Sequence, residues 1–99
     1  MIYILWEFTV NAAQQADFER AYSSEGVWAE LFRRDPAYKQ TILVHDHEQA
    51  GRYLTIDVWE DKASYLSFKD RFVAEYHQID EDCEKLTAGE RLIGIFEAI

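Results

Sequence analysis

Two apolar repeat patterns alternate along the 99 residues of the chain and restrict the folds it can adopt. Alternation with a period of two, which is typical of strands, marks residues 2–10, 38–46, 52–59 and 91–98. Apolar side chains three or four positions apart, which predict amphipathic helices, mark residues 12–22, 25–34 and 62–86. The order β-α-(α)-β-β-α-β predicts one α+β, ferredoxin-like domain over residues 1–99, with an antiparallel sheet.

Local signals predict where these segments begin and end. Three side chains suited to cap a helix N-terminus precede the helices: Asn11 (with Gln14 as its capping-box partner), Ser24 and Asp61. Pro36 ends the second helix, because proline has no backbone N–H to donate. Gly51 lies in the polar loop between the central strands. Gly89 follows the last helix, where we expect a left-handed cap.

The chain is rich in large apolar side chains for its length. Hydrophobic residues make up 48% of the sequence and aromatic residues 15%, more than a domain of this size easily buries alone. If both helical segments cover one sheet face, the other face stays bare in a monomer. We therefore expect a homodimer in which two sheets pack face to face about a twofold axis, although a ligand pocket would also use part of the surplus.

The charge and the single cysteine exclude several classes of protein. A net charge of −9 argues against a nucleic acid or an anionic membrane as partner, because both are bound through clustered Lys and Arg. Cys83 is the only cysteine, which rules out an internal disulfide, and it lies on the apolar stripe of the last helix as an expected core residue. We recognise no signal peptide and no membrane-spanning run, and we expect a cytoplasmic protein.

Polar side chains interrupt strand faces that should be mostly buried: Glu7, Thr41, Thr55 and Asp57. A buried carboxylate is unfavourable unless it is paired or hydrogen-bonded. One interpretation makes Asp57 or Glu7 a general base with a raised pKa. The other pairs these carboxylates with Arg52, Arg91, tyrosine hydroxyls or water.

Metal and nucleotide sites find little support in the sequence. His45 and His47 alternate beside Glu48, but no further ligand has a suitable spacing, and we expect no metal site. There is no glycine-rich phosphate loop and no dinucleotide-binding fingerprint.

One segment carries a family resemblance. From Tyr53 to Tyr65 the sequence YLTIDVWEDKASY ends a strand in Trp59, passes through an acidic cap and starts a helix. With the element order, it resembles the antibiotic biosynthesis monooxygenase family of dimeric α+β barrel proteins. The layout agrees over nearly the whole chain, while the residues agree mainly over 53–68. The resemblance implies a homodimer and, for quinone-forming members, oxygenation of polycyclic phenols without metal, flavin or haem.

The resemblance also implies site residues, by position. It implies a pocket around Trp59, with Tyr65 and, on the preceding strand, His45 as the other catalytic residues. The expected substrate-binding residues are Thr55, Asp57 and Phe72. Thr55 stands where the family has an asparagine, which keeps a hydrogen bond but loses the amide. The family's pocket arginine is missing, because its position falls near Ile79.

A haem-degrading branch of the family is argued against by its missing residues. That branch uses a histidine ten positions after the strand-end tryptophan, where this chain has Lys69, and an asparagine on the first strand, where it has Glu7. We therefore expect no cofactor.

Two functions from different classes remain. The first is a cofactor-independent monooxygenase that acts on a small aromatic, phenol- or quinol-like substrate. The second is a non-catalytic dimeric domain that binds a small ligand or serves as a scaffold; an isomerase or a signal-processing enzyme of this fold is a third possibility. Whether Trp59, Tyr65 and His45 converge on an open cavity or are sealed in packing discriminates between the first two.

Overall fold

The computed structural model of the protein describes residues 1–99. Its four strands are β1 (Ile2–Thr9), β2 (Tyr38–His45), β3 (Arg52–Trp59) and β4 (Gly89–Glu97). Its four α-helices are α1 (Gln15–Tyr22), α2 (Val27–Phe32), α3 (Lys62–Arg71) and α4 (Val73–Cys83), with short 3-10 turns at Ala12–Gln14 and Glu84–Leu86. The predicted α+β, ferredoxin-like class is confirmed, and the strand bounds agree to within two residues.

All neighbouring strands of the sheet are antiparallel, in the order β2-β3-β1-β4. The central pair runs without interruption from Ile2 opposite Trp59 to Thr9 opposite Arg52. Between β1 and β4 the register shifts by one residue, since Leu5 pairs with Gly94 but Trp6 pairs with Leu92. Ile93 is the extra residue of this β-bulge.

The structure settles which face of the sheet the helices cover. The covered face carries Tyr53, Thr55, Asp57 and Trp59 of β3, all of them buried. The open face carries apolar side chains from several strands: Leu5, Leu54, Ile56, Ile42, Val44 and Phe96. Ile42, Val44 and Phe96 are between 39% and 49% exposed, so the apolar part of this face is uncovered in the single chain.

Aromatic rings fill the space between the covered face and the helices. Phe8 of β1 packs against Phe18 of α1 with their ring centroids 5.2 Å apart. Trp59 of β3 packs against Phe68 of α3 at 5.1 Å. Trp59, Phe18 and Phe68 are among the most completely enclosed side chains of the protein, and burial of each contributes about 2–3 kcal/mol.

The predicted helix caps are right at one position and wrong at two. The Asp61 side chain accepts a hydrogen bond from the Ser64 backbone N–H at 2.7 Å, as predicted. Asn11 makes no capping bond and precedes a 3-10 turn instead of the α-helix. Ser24 does not cap α2, which starts after Gly26 because the chain there runs against α1: a Cβ on Gly26 would lie 2.2 Å from the Ala21 carbonyl oxygen.

The single long helix predicted over residues 62–86 is wrong. It breaks at Phe72, whose φ of −112° and ψ of 30° are not helical, into α3 and α4. The predicted apolar stripe nevertheless faces the core: Tyr65, Phe68, Cys83 and Leu86 are buried, and Phe72, Tyr76 and Ile79 pack against them.

The two predicted glycine positions also differ in outcome. Gly51 has a φ of +84°, and a Cβ there would lie 2.5 Å from the Val10 carbonyl oxygen, so glycine is required in this loop. Gly89 has no left-handed conformation and begins β4. The Ala88 N–H already donates to the Thr9 carbonyl at 2.7 Å, so the chain enters the sheet without a glycine cap.

Candidate active site

A cavity of about 260 Å³ lies between the covered sheet face and the helices. Five aromatic side chains form most of its apolar wall: Trp6, Phe8, Tyr22, Trp28 and Phe32. Polar side chains enter from the sheet and from the helices: Thr41, Thr55, Asp57, Lys69, Tyr76, Asp80 and Glu90. The cavity therefore combines flat apolar surfaces with groups that can move a proton and stabilise charge.

Asp57 is the buried carboxylate of this cavity. Its residue is 8% exposed, and the Thr41 hydroxyl donates to its Oδ1 at 2.6 Å. Because Thr41 donates its only hydrogen to Asp57, the Tyr38 hydroxyl, 2.7 Å from Thr41 Oγ1, must be the donor to Thr41. No Lys, Arg or His forms an ion pair with Asp57.

This environment changes the acidity of Asp57. Burial raises the pKa of Asp57 to about 6, although the hydrogen bond from Thr41 acts in the opposite direction. The group is thus mostly ionised at neutral pH and holds a proton far better than an exposed aspartate. Such a pKa suits a general base.

Lys69 lines the same cavity as Asp57 and lies against two tyrosines. The Lys69 Nζ is 5.4 Å from the ring centroid of Tyr65 and 5.2 Å from that of Tyr76. Burial, with the charge of Asp57, raises the pKa of Tyr65 to about 12. Burial and the nearby Tyr65 also raise the pKa of Tyr76 above its ordinary value. Both hydroxyls are therefore neutral at physiological pH.

The predicted site residues lie in four different places. Thr55 and Asp57 line the cavity. Trp59 is fully enclosed, and its indole N–H has no hydrogen-bond acceptor. Tyr65 packs against Trp59 with the ring centroids 5.4 Å apart, so these two form a sealed layer next to Asp57. Phe72 packs on Phe68 at 4.9 Å, outside the cavity.

His45 does not join the other predicted residues. It is exposed at the far end of β2, its ring 6.0 Å from that of His47 and 6.4 Å from that of Tyr53. It borders a more open groove of about 760 Å³ between β2 and α1. Trp59, Tyr65 and His45 therefore do not converge on one cavity, and the catalytic roles predicted for them stay predictions.

Glu7 lies on the open face and is paired. Arg52 Nη2 is 2.6 Å and Arg91 Nη2 is 3.0 Å from its carboxylate oxygens. The hydrogen bonds from Arg52 and then Arg91 hold the pKa of Glu7 below its ordinary value. The interpretation that pairs Glu7 with these arginines is confirmed.

Several polar residues of the cavity were not predicted from the sequence, among them Lys69, Tyr76 and Glu90. In the sequence, Lys69 stands out only because it replaces a family histidine, and Tyr76 only because it belongs to the apolar stripe of the last helix. Glu90 carried no signal, because its side depends on the bulge between β1 and β4. No group of three or more His, Cys, Asp or Glu side chains is arranged to hold a metal ion, and no helix is long and apolar enough to cross a membrane.

Comparison with known proteins adds the family. The profile of the family described as Antibiotic biosynthesis monooxygenase matches residues 1–79. The chain belongs to this family. No curated protein matches the sequence significantly.

Several solved structures share the fold. A candidate family member from Deinococcus radiodurans superposes with a TM-score of 0.77 at 14% identity, over 99% of this chain and 92% of that chain. SnoaB, a cofactor-independent oxygenase from Streptomyces nogalater, superposes with a TM-score of 0.70 at 20% identity, over 99% of this chain and 92% of SnoaB. A variant of MhuD with two manganese protoporphyrin IX bound per active site superposes with a TM-score of 0.76 at 15% identity, over 100% of this chain and 95% of MhuD.

Proposed function

We propose that this member of the antibiotic biosynthesis monooxygenase family is a cofactor-independent monooxygenase that acts on a small phenol. The observation that carries the proposal is Asp57, an ionised carboxylate without a cationic partner, buried in an aromatic cavity. The similarity of the fold to SnoaB, described as a cofactor-independent oxygenase, supports it.

The reaction needs a substrate that can itself reduce oxygen. Asp57 takes the proton of the phenol hydroxyl, and the phenolate gives one electron to O₂. The resulting phenoxyl radical and superoxide join at the ring carbon para to the hydroxyl, and the peroxide takes the proton back from Asp57. The ring carbon then loses its hydrogen as the O–O bond breaks. One oxygen atom stays as the second carbonyl of a para-quinone, and the other leaves as water.

The size of the cavity limits the substrate. A cavity of roughly 150 Å³ suffices for benzene in a protein core. The cavity of about 260 Å³ therefore has room for one or two fused rings. The rings would stack between Trp6 of β1 and Trp28 of α2, with the hydroxyl directed to Asp57.

Oxygen uptake tests the proposal. With a panel of one- and two-ring phenols, the wild type should consume one O₂ for each quinone formed. Asp57→Asn should lose at least about 100-fold in turnover, since general-base catalysis contributes this much. Glu7→Gln makes the same chemical change on the other sheet face and is the matched control. Wild-type kcat/KM should rise with pH through about 6, the pKa of Asp57.

Two outcomes would count against the proposal. Full activity in Asp57→Asn would remove Asp57 as the base. No uptake by the wild type with any phenol would favour the alternative, a non-catalytic ligand-binding or scaffold domain. The sealed packing of Trp59 and the position of His45 are the observations that favour this alternative.

We also propose that the open sheet face packs against a second copy of the chain. Three of its apolar side chains, Ile42, Val44 and Phe96, are 39% or more exposed. An apolar face of this kind is typical of interfaces between copies. Light scattering at micromolar concentration should give twice the 11.7 kDa of one chain, and a monomer would contradict the proposal. A cytoplasmic location also remains a proposal.

A further inference from the structure

Lys69 is the one basic side chain that lines the cavity, and it has no carboxylate partner. Seven of the ten Lys and Arg side chains form ion pairs, namely all the arginines and Lys39. Of the other three, Lys62 and Lys85 lie on the surface outside the cavity. Lys69 is thus a positive charge that the protein places at the cavity and leaves uncompensated.

The position of this ammonium group is held from two sides. Tyr65 of α3 and Tyr76 of α4 present their rings to Nζ at 5.4 and 5.2 Å. A cation over an aromatic face is attracted by the ring but gives it no conventional hydrogen bond. The N–H donors of Lys69 therefore remain available to an acceptor in the cavity.

The other polar side chains near the cavity cannot compensate a negative charge on a ligand. The Thr41 hydroxyl already donates to Asp57. Tyr65 and Tyr76 are neutral hydroxyls, and Asp80 and Glu90 are carboxylates without ion pairs that border the cavity from α4 and β4. The indole N–H of Trp28 has no hydrogen-bond partner but is a neutral donor, so Lys69 is the only cation that lines the cavity and can compensate a full negative charge on a ligand.

We propose that Lys69 binds the ionised oxygen of the substrate, so that a phenol enters uncharged and becomes a phenolate against this ammonium group. The inference rests on the proposed function in taking a phenol as the ligand. It adds a substrate class: Asp80 and Glu90 disfavour phenols that already carry a carboxylate, because like charges repel. The two residues then have different roles: Asp57 takes the proton, and Lys69 stabilises the negative charge that remains on the substrate oxygen.

The ionisation of a bound chromophore tests this inference without any turnover. The probe is 4-nitrophenol, which is yellow as the phenolate and colourless as the phenol, added without oxygen at a pH where half of the free probe is ionised. Saturating wild-type protein should hold a higher ratio of phenolate to phenol than Lys69→Met does, by about tenfold, as expected for a charge-assisted hydrogen bond. Lys69→Arg should retain most of the wild-type ratio.

Lys85→Met is the matched control, because it removes the same charge outside the cavity. Equal ratios in the wild type and Lys69→Met, or an equal fall in Lys85→Met, would overturn the inference. So would the absence of any spectral change with the wild type. The carboxylated analogue 5-hydroxy-2-nitrobenzoate, which keeps the nitro group para to the hydroxyl, should bind more weakly than 4-nitrophenol, and tighter binding would overturn the substrate class.

The result is separable from that of the oxygenase test. If Lys69 controls the ionisation of the probe but no phenol supports oxygen uptake, the phenolate site stands and the oxygenase fails. If the wild type oxidises phenols while Lys69→Met leaves the ionisation of the probe unchanged, the oxygenase stands and the role of Lys69 fails.

Discussion

Glu7 and Asp57 are carboxylates on two adjacent strands of one sheet, but they lie on opposite faces and differ in almost every physical respect. Glu7, on the open face, is held by two arginines, and its pKa is lowered. Asp57, on the covered face, has only a hydroxyl partner, and burial raises its pKa to about 6. A carboxylate that is paired with arginines helps to stabilise the fold. A carboxylate that is buried without a cation has a raised pKa, which suits it to act as a general base.

The largest expected effect is the pH dependence of the stability difference between the wild type and Asp57→Asn. A carboxyl group whose pKa is higher in the folded than in the unfolded chain stabilises the fold as it takes up its proton. At neutral pH, Asp57→Asn should be the more stable protein, because it removes a buried charge. This advantage should shrink by up to about 3 kcal/mol as the pH falls from 7 to 4, through the window between the folded pKa of about 6 and the model value of 3.8.

Urea unfolding of both proteins across this range measures the effect. Subtracting one from the other cancels the groups that they share, and a fixed protein concentration cancels any dimerisation. A difference in unfolding free energy that does not vary with pH would show that Asp57 is not perturbed.

A smaller effect of the opposite sign is expected at Glu7. Its pKa is lower in the folded chain, so its stabilisation is present above the unfolded pKa and is lost as the pH falls through the folded value. Glu7→Gln should therefore lower the melting temperature modestly at pH 7 and not at all in strong acid. High salt should reduce the difference, because the ion pairs are partly exposed. A loss that persists unchanged at low pH would point to packing instead of charge.

The smallest effect is expected at His45. Its ring is exposed at the end of β2, away from the cavity. His45→Gln should change the unfolding free energy by less than about 0.5 kcal/mol, as is usual for surface positions. Oxygen uptake and 4-nitrophenol binding should equal those of the wild type. A large loss of turnover would restore the catalytic role that the family resemblance implies for His45, and would require the groove beside β2 to be part of the site.

The sequence predicted what periodicity controls and missed what tertiary contacts control. The four strands and the apolar stripe from Tyr65 to Leu86 follow from spacing, and they are confirmed. The break between α3 and α4 at Phe72 could not be predicted, because no proline or glycine marks it in the sequence. Asn11 and Ser24 have the right side chains for caps, but a cap also needs a backbone position that only the packed chain defines.

The candidate site shows the same division. Asp57 could be singled out because a carboxylate in a strand pattern has to be explained. The covered face could not be identified, since both faces of β3 carry apolar side chains. Lys69 was missed because a lysine on an amphipathic helix usually lies in solvent, and its exceptional place depends on Tyr65 and Tyr76.

The extra residue in β4 decides which charge reaches which side of the sheet. Side chains alternate along a strand, and a bulge shifts the pairing by one residue, so the positions beyond it lie on the opposite face from the one they would take in an unbroken strand. Because Ile93 is skipped, Arg91 comes opposite Glu7 and Glu90 comes opposite Phe8. If Ile93 instead paired with Trp6 in a strand without a bulge, Arg91 would come opposite Phe8 on the covered face and Glu90 opposite Thr9 on the open face, which would reverse the polarity of the cavity rim without replacing any charged residue. The electrostatics of this site therefore depend partly on the register of one strand pair.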